Sequence, residues 1–284
     1  MKNKSAESCI TPFFILALFC IHPAYGKEVS ISICSDSNFW FPYTFEIEGE
    51  SKGLHVDIVN AATNRIDVKA TMEPLPWKRC LYSAEKGVYD AVISASYKDK
   101  RSKYLFYPTD ASGAEKSKYR ITQVGYTILS SNSDSFNFDG DFSKIPEPVR
   151  VPFGYSIAED ISKHGLLVET STKGIRNNLR NLIKSNMGSI VTTLDMAELI
   201  SSDKSKDLHV SHKPISSKSY FMAFSKKTSL TDVQRINIWK SIAAVRQDPK
   251  VMHELISIYD NYDSCLATDS LKKNQNGHAE NGCD

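Results

Sequence analysis

An α/β fold with two parallel-type sheets and flanking helices is what the sequence predicts, on three observations. Strand-like and helix-like segments alternate between Val29 and Ser94, and again between Val149 and Asp195; such alternation marks parallel sheets covered on both faces. Ala91-Val-Ile93 is a continuous apolar run, which a strand buried on both faces needs. Ser130-Ser-Asn-Ser-Asp-Ser135 is polar throughout and reads as a loop between the two units.

The first 26 residues stand apart. Lys2 and Lys4 precede the apolar run Phe13-Phe-Ile-Leu-Ala-Leu-Phe19, and small Ala24 and Gly26 lie before Lys27, the pattern of a cleaved secretory signal peptide over 1–26. The run is shorter than the roughly 20 apolar residues of a membrane span, so the mature protein is expected to be soluble and periplasmic. A lipid-modified Cys20 is the alternative, but bulky Phe19 before it fits that processing poorly. Cleavage leaves Cys34, Cys80, Cys265 and Cys283. Four cysteines in an oxidising compartment allow three disulfide pairings, and a reduced Cys34 inside a strand is the other possibility.

The elements then follow in order. Val29-Ser-Ile-Ser-Ile33 alternates as a strand and ends at Cys34-Ser-Asp36, before an aromatic loop, Asn38-Phe-Trp-Phe-Pro-Tyr-Thr-Phe-Glu46, broken by Pro42. After Gly53, the residues Leu54, Ile58, Ala61 and Ala62 fall on one helical face. Val68–Glu73 reads as a strand, Lys78–Lys86 as a short helix closed by Gly87, and Tyr89–Ser94 as the buried strand. The second unit offers strands at Val149–Val151, Leu166–Val168 and Ser189–Thr193. Its helices begin in Pro152-Phe-Gly-Tyr-Ser-Ile-Ala-Glu-Asp160, at Ile175 (to Ser185, with Ile175, Leu179, Leu182 and Ile183 aligned) and at Asp195. Tyr220–Phe224 is strand-like, Leu230–Arg246 and Lys250–Tyr262 are helical, and residues 266–284 form a polar tail.

Composition excludes several functions. With a formal net charge of +2, no strong field points to nucleic acid or an anionic membrane. No zinc-type Cys/His spacing, phosphate-binding glycine loop or GxSxG elbow occurs, so neither metal nor cofactor is expected. His209-Val-Ser-His212, read as a strand, puts its rings on opposite faces and gives surface histidines.

In its motifs the chain resembles the type II periplasmic solute-binding proteins, family 3, associated with amino-acid ABC transporters. The resemblance runs from Val29 to Tyr262 through FWFPYTFE, GLHVDIVNAA, the helix led by Trp77, YDAVISASYKDKR, FYPTD, RVPFGYSIAEDISKHG, SIVTTLD and SSKSYFMAFSKK. It implies a two-lobed fold with two hinge crossings, near Ser117–Gln123 and Pro214–Tyr220. Lobe 1 would comprise 27–118 and 220–265, and lobe 2 would comprise 119–219. It also implies a small-molecule ligand in the interlobe cleft, a monomer, no catalytic role and an ABC permease in the inner membrane as partner. The alternatives are a periplasmic enzyme of dehydratase or lyase type on the same scaffold, with Glu73 and Asp110 as the acids to consider, or a stand-alone sensory module.

Site residues follow partly from the resemblance. From composition Arg101 is one charge among Lys98, Asp99, Lys100 and Lys103; the resemblance makes it the clamp for a ligand carboxylate, which a planar guanidinium grips bidentately. A preceding hydroxyl assists, and because the interval from Asp90 is one residue shorter than the family pattern, both Ser94 and Ser96 are candidates. Trp40 falls where the family places a stacking aromatic, while Tyr43 either lines the cleft or plugs the core. Trp77 lines the cleft or packs, and Asp36 contacts a polar ligand group or forms an Asx turn. Tyr155 and Ser156 open a helix whose free N–H groups suit an anion. The family's Asp for a ligand ammonium is matched here by Thr193, with Asp195 two residues on. In that architecture Cys34 and Cys80 are neighbours, and a disulfide between them is expected.

Overall fold

A computed structural model of the protein describes residues 29–113, 115–131, 135–202 and 207–260; the expected signal peptide, Cys265, Cys283 and the expected polar tail lie outside the described residues. The first unit runs β1 (Val29–Asp36), the hairpin β2 (Phe45–Ile47) and β3 (Glu50–Lys52), α1 (Leu54–Asn64), β4 (Val68–Leu75), α2 (Trp77–Lys86), β5 (Ala91–Ser96), α3 (Asp99–Ser102) and β6 (Leu105–Phe106). There follow β7 (Thr122–Ser131), β8 (Val149–Arg150), α4 (Ser156–Ser162), β9 (Val168–Glu169), α5 (Ile175–Ser185), β10 (Ser189–Thr193), α6 (Leu194–Ser202) and β11 (Leu208–Val210). The chain closes with β12 (Ser216–Ser225), α7 (Asp232–Gln247) and α8 (Pro249–Asp260).

The mixed α/β fold is as the sequence predicts. β1 pairs in parallel with β4 and β5, β8 pairs in parallel with β10 and β9, and helices flank both groups. The two groups are not separate sheets, however. They form one curled path, β4-β1-β5-β12-β7-β10-β8-β9, because β7 and β12 are long enough to be shared. β12 meets β5 through Tyr220–Phe224 and β7 through Ser216–Tyr220, and β7 meets β10 through Tyr126–Ser130. Periodicity does not single out β7, and its last two residues, Ser130 and Ser131, belong to the stretch expected to be a loop.

Core formation follows the apolar pattern. All six residues of β5 are buried. Ile31, Ile33 and Ile93 pack with Ile58 and Val59 of α1 and with Ile238 and Ile242 of α7, so the C-terminal helices cover the first parallel group. A second core gathers Tyr126, Val149, Ile157 and Val191, and Trp40 and Tyr43 reach into it from the aromatic loop.

That loop is anchored at the start of α1. Trp40 and Thr44 exchange backbone hydrogen bonds of 3.0 and 3.1 Å, and the Leu54 and His55 N–H groups donate to the Pro42 and Tyr43 carbonyls at 2.7 and 3.0 Å. Two donors that a helix start leaves orphaned are thereby used to hold the loop. Gly53 makes this possible: its φ is +121°, and a Cβ there would lie 2.3 Å from the Tyr43 carbonyl oxygen, so only glycine fits.

Candidate functional site

A concave pocket, with about 310 Å3 of space that includes open solvent at its mouth, lies beyond the carboxyl end of β5, where open α/β sheets take their ligands. Its wall is Asp36, Trp40, Trp77, Ser94, Ser96, Arg101, Tyr155, Ser156 and Tyr220. Eight of these are residues singled out from sequence. Tyr43 and Thr193, also singled out, are not in the wall, and Tyr220 is an addition.

Arg101 sits in the single turn of α3 after β5 and is only 7% exposed. Its Nη1 donates to the Ser96 carbonyl at 3.0 Å and to Ser96 Oγ at 3.2 Å, and its Nη2 donates to the Gly154 carbonyl at 3.3 Å. Trp77, at the first position of α2, lies under the guanidinium with its ring centre 5.2 Å away, a cation–π contact. Among the described residues no carboxylate is within ion-pair distance of Arg101. Buried charges are ordinarily paired, so this one is poised for an anion.

Hydroxyls surround it. Ser96 Oγ and Ser156 Oγ are 2.6 Å apart and join β5 to α4. Ser94 has φ +63°, and opposite it the β5–β12 register shifts between Phe221 and Ala223. Such a bulge re-aims a side chain, and here it turns Ser94 toward the cavity. Both serine candidates therefore reach the wall, on account of the bulge.

Beneath Ser94 lies His55, fully buried, with Nδ1 2.8 Å from Ser94 Oγ and Nε2 2.6 Å from Thr122 Oγ1. Burial drives its imidazole down to about 3, so it is neutral and offers one donor and one acceptor. Trp40 is the hub of an aromatic cluster, with ring centres 4.7 Å from Tyr43, 4.9 Å from Tyr220 and 6.4 Å from Tyr155.

Asp36 ends β1. Its Oδ1 accepts from the Asn38 N–H and Nδ2 at 3.0 and 2.9 Å, and its Oδ2 accepts from the Tyr155 hydroxyl at 2.7 Å. The Asx arrangement and a place in the wall thus coexist. Burial pushes the carboxyl up to about 6, against the lowering pull of the Asn38 and Tyr155 donors.

The two predicted residues outside the wall have other partners. The Tyr43 hydroxyl donates to Asp195 Oδ2 at 2.5 Å, tying the aromatic loop to α6. Thr193 is wholly buried and its Oγ1 accepts the Met196 N–H at 3.4 Å, a helix-start contact. Asp195 is occupied by Tyr43 and is not in the wall either.

A charge cluster that sequence reading missed flanks the cavity. Asp160 of α4 pairs with both Lys98 and Lys218, and Lys218 Nζ lies 3.3 Å from Ser156 Oγ. Burial alone would raise the Asp160 carboxyl, but the Lys218 and Lys98 hydrogen bonds win and hold it below the usual range. Lys218 is lowered to about 8, chiefly by burial, with Lys98 and Arg101 pushing the same way.

Cys34 and Cys80 form a disulfide with Cα atoms 5.7 Å apart, beside the packed Trp77. The histidine pair departs from expectation. His212 falls beyond the end of β11, so the chain turns and the His209 and His212 rings come within 6.0 Å instead of facing oppositely. Among the described residues no three His, Cys, Asp or Glu groups gather as metal ligands, and no helix is long and apolar enough to cross a membrane.

A curled mixed sheet with a cleft at the carboxyl end of its first parallel group is the fold of the two-lobed periplasmic binding proteins. Residues 31–117 match the sequence pattern of the bacterial extracellular solute-binding proteins, family 3, so the resemblance carried by the motifs is borne out there. The chain is similar in structure to the arginine-, lysine-, histidine-binding protein ArtJ from Geobacillus stearothermophilus, with a TM-score of 0.63 and 15% identity over 86% of this chain and 99% of that one. A histidine kinase sensor domain with similarity to periplasmic binding proteins gives 0.64 and 17%, over 82% and 96%. The ancestral amino-acid-binding protein AncCDT-1, a precursor of cyclohexadienyl dehydratase, gives 0.60 and 15%, over 81% and 95%. At these identities the likeness is one of fold. No curated protein matches the chain in sequence.

Proposed function

We propose that the protein is a periplasmic solute receptor that encloses a small carboxylate-bearing or polar ligand between two lobes and presents the closed form to an ABC permease. The observation that carries this is Arg101, a buried cation on the cavity wall with no described carboxylate to neutralise it. In this reading Arg101 takes the ligand's carboxylate with help from Ser94, Ser96 and Ser156. Trp40, Trp77, Tyr155 and Tyr220 hold the rest of the ligand, and Asp36 sets a polar contact. Lobe 1 is 27–118 with 220–265 and lobe 2 is 119–219, so that β7 and β12 are the crossings. Closure brings Tyr43 to Asp195, Tyr155 to Asp36 and Lys98 to Asp160. A ligand that touches both lobes favours the closed state by its extra contacts there. The signal sequence delivers the mature chain to the periplasm, where it works as a monomer.

Calorimetry of the mature protein against a panel of amino acids and small carboxylates tests the reading. Stoichiometric binding without turnover is expected, and no binding to any acid overturns it. The same experiment weighs an enzyme, a reading supported by the likeness to the dehydratase precursor and by Asp36, a carboxyl near 6 on the wall. Consumption of the ligand would establish it. Glu73 and Asp110 do not serve that reading. Glu73 accepts the Tyr89 hydroxyl and Asp110 accepts from Ser117 and Lys118, both away from the cavity wall.

A further inference from the structure

Granting that the cleft binds a carboxylate, we propose that its ligand carries no ammonium group and is a 2-oxo or 2-hydroxy acid. The wall is rich in donors and poor in free acceptors. Arg101 can donate to a ligand oxygen, as can whichever of Ser96 and Ser156 does not donate to the other across their 2.6 Å contact, and Ser94 when His55 Nδ1–H is the donor between them. The wall's carbonyl and hydroxyl acceptors already serve protein donors: the Ser96 carbonyl takes Arg101 and the Tyr107 hydroxyl, and the Gly154 carbonyl takes Arg101.

An ammonium brings three N–H donors and a positive charge, and each N–H needs an acceptor, best a carboxylate, since the wall's aromatic faces offer a cation attraction but no lone pairs. Asp36 is the one acid on the wall, and three protein donors occupy it, two on Oδ1 and one on Oδ2. Thr193 and Asp195 are spent on Met196 and Tyr43.

The electrostatic field points the same way. Lys98 and Lys218 both pair with Asp160 beside Ser156, and Lys98 also lies 4.0 Å from Glu159. The two lysines and two carboxylates balance, which leaves Arg101 as the excess charge beside them, favouring an anion and opposing a second cation. A 2-oxo or 2-hydroxy oxygen gives the serine hydroxyls an acceptor and adds no charge. The apolar remainder of such an acid meets Trp40, Trp77 and Tyr220.

Isothermal titration of the mature protein with matched series decides the matter. The probes are L-alanine, pyruvate and lactate; L-leucine, 4-methyl-2-oxopentanoate and 2-hydroxy-4-methylpentanoate; and L-phenylalanine, phenylpyruvate and 3-phenyllactate. In at least one series the amine-free acid should bind about tenfold or more tighter than its amino acid, because the ammonium is left without partners. An amino acid that binds as tightly as its amine-free counterpart, or more tightly, overturns the ligand class and leaves the carboxylate receptor standing. Silence from every member of all three series overturns both.

Discussion

The guanidinium carbon of Arg101 sits 5.2 Å from the centre of the Trp77 ring, so the indole covers one face of a cation that no described carboxylate neutralises. Trp77 is itself only 5% exposed and cannot swing away without opening the α2 packing. In the proposed receptor the pair would fix where a ligand's carboxylate docks.

Replacing Arg101 by Ala should cost about 2–5 kcal/mol of carboxylate binding, the range for removing one partner of a buried charge pair. Lys in its place should recover little, since it has neither the planar fork nor the stacking face. Calorimetry with the tightest-binding acid measures both variants, and an unchanged affinity would return Arg101 to the role of an ordinary charge.

Tyr43→Phe should weaken ligand binding about tenfold while leaving the cavity wall in place. The substitution removes one hydrogen bond to the Asp195 carboxylate, 2.5 Å long, and bonds to charged groups contribute about 1.5–3 kcal/mol. A variant that binds as the parent does would show that this contact has no part in closure.

Gly53→Ala should lower unfolding stability by about 2 kcal/mol or more, since it adds left-handed strain to a backbone clash. The predicted Cβ position, 2.3 Å from the Tyr43 carbonyl oxygen, leaves no room for relaxation by a side chain. The midpoint of denaturant unfolding reports the loss.

Removing the Cys34–Cys80 bridge, which spans a sequence separation of 46, should cost about 2–4 kcal/mol. Reduction of the parent protein should match the Cys34→Ala/Cys80→Ala variant in thermal melts. If reductant leaves the melt unmoved, the bridge is not formed in solution.

Two buried groups give opposite pH dependences between pH 4 and 6. His55 is lowered to about 3; its contribution is present above the ordinary histidine value and lost as pH falls toward 3. Asp36 is raised to about 6; its contribution is full below the ordinary aspartate value and lost as pH rises through 6. Each has a slope of about 1.4 kcal/mol per pH unit in that window, with opposite sign. His55→Gln should therefore make the protein more stable on acidification from pH 6 to 4, and Asp36→Asn less stable. Urea melts across the window check both signs.

Much of the fold was legible because its strongest signals are local. The apolar run Ala91–Ile93 could hardly be anything but a strand buried on both faces, and Gly87 does close α2 with φ +81°. Local patterns also misled. Ile183 was aligned with Ile175 but is 47% exposed, since eight residues along a helix leave it about 80° round from its starting point.

The site divides along the same line. Arg101, Ser96 and Trp40 came from motifs contiguous in sequence. Lys218 and Tyr220 arrive on β12, more than a hundred residues away from β5 in the chain, and no local pattern announces that pairing. His55 was missed because a lone histidine in an amphipathic helix reads as solvated; only the meeting of α1, β5 and β7 puts hydroxyls on both its ring nitrogens. Thr193 shows the converse, a residue in the right place along the chain whose hydroxyl is turned inward to a helix start.

The shared strands have a mechanical consequence. Because β7 and β12 bond to each other at the middle of the sheet and to different neighbours beyond it, a change of angle between its two ends must be absorbed as torsion along one ribbon. Strand pairs carry an inherent twist, largest in two-stranded ribbons. In the proposed two-lobed receptor that joint would act as a torsion spring. Its restoring torque would set how quickly the cleft springs back once its contents leave.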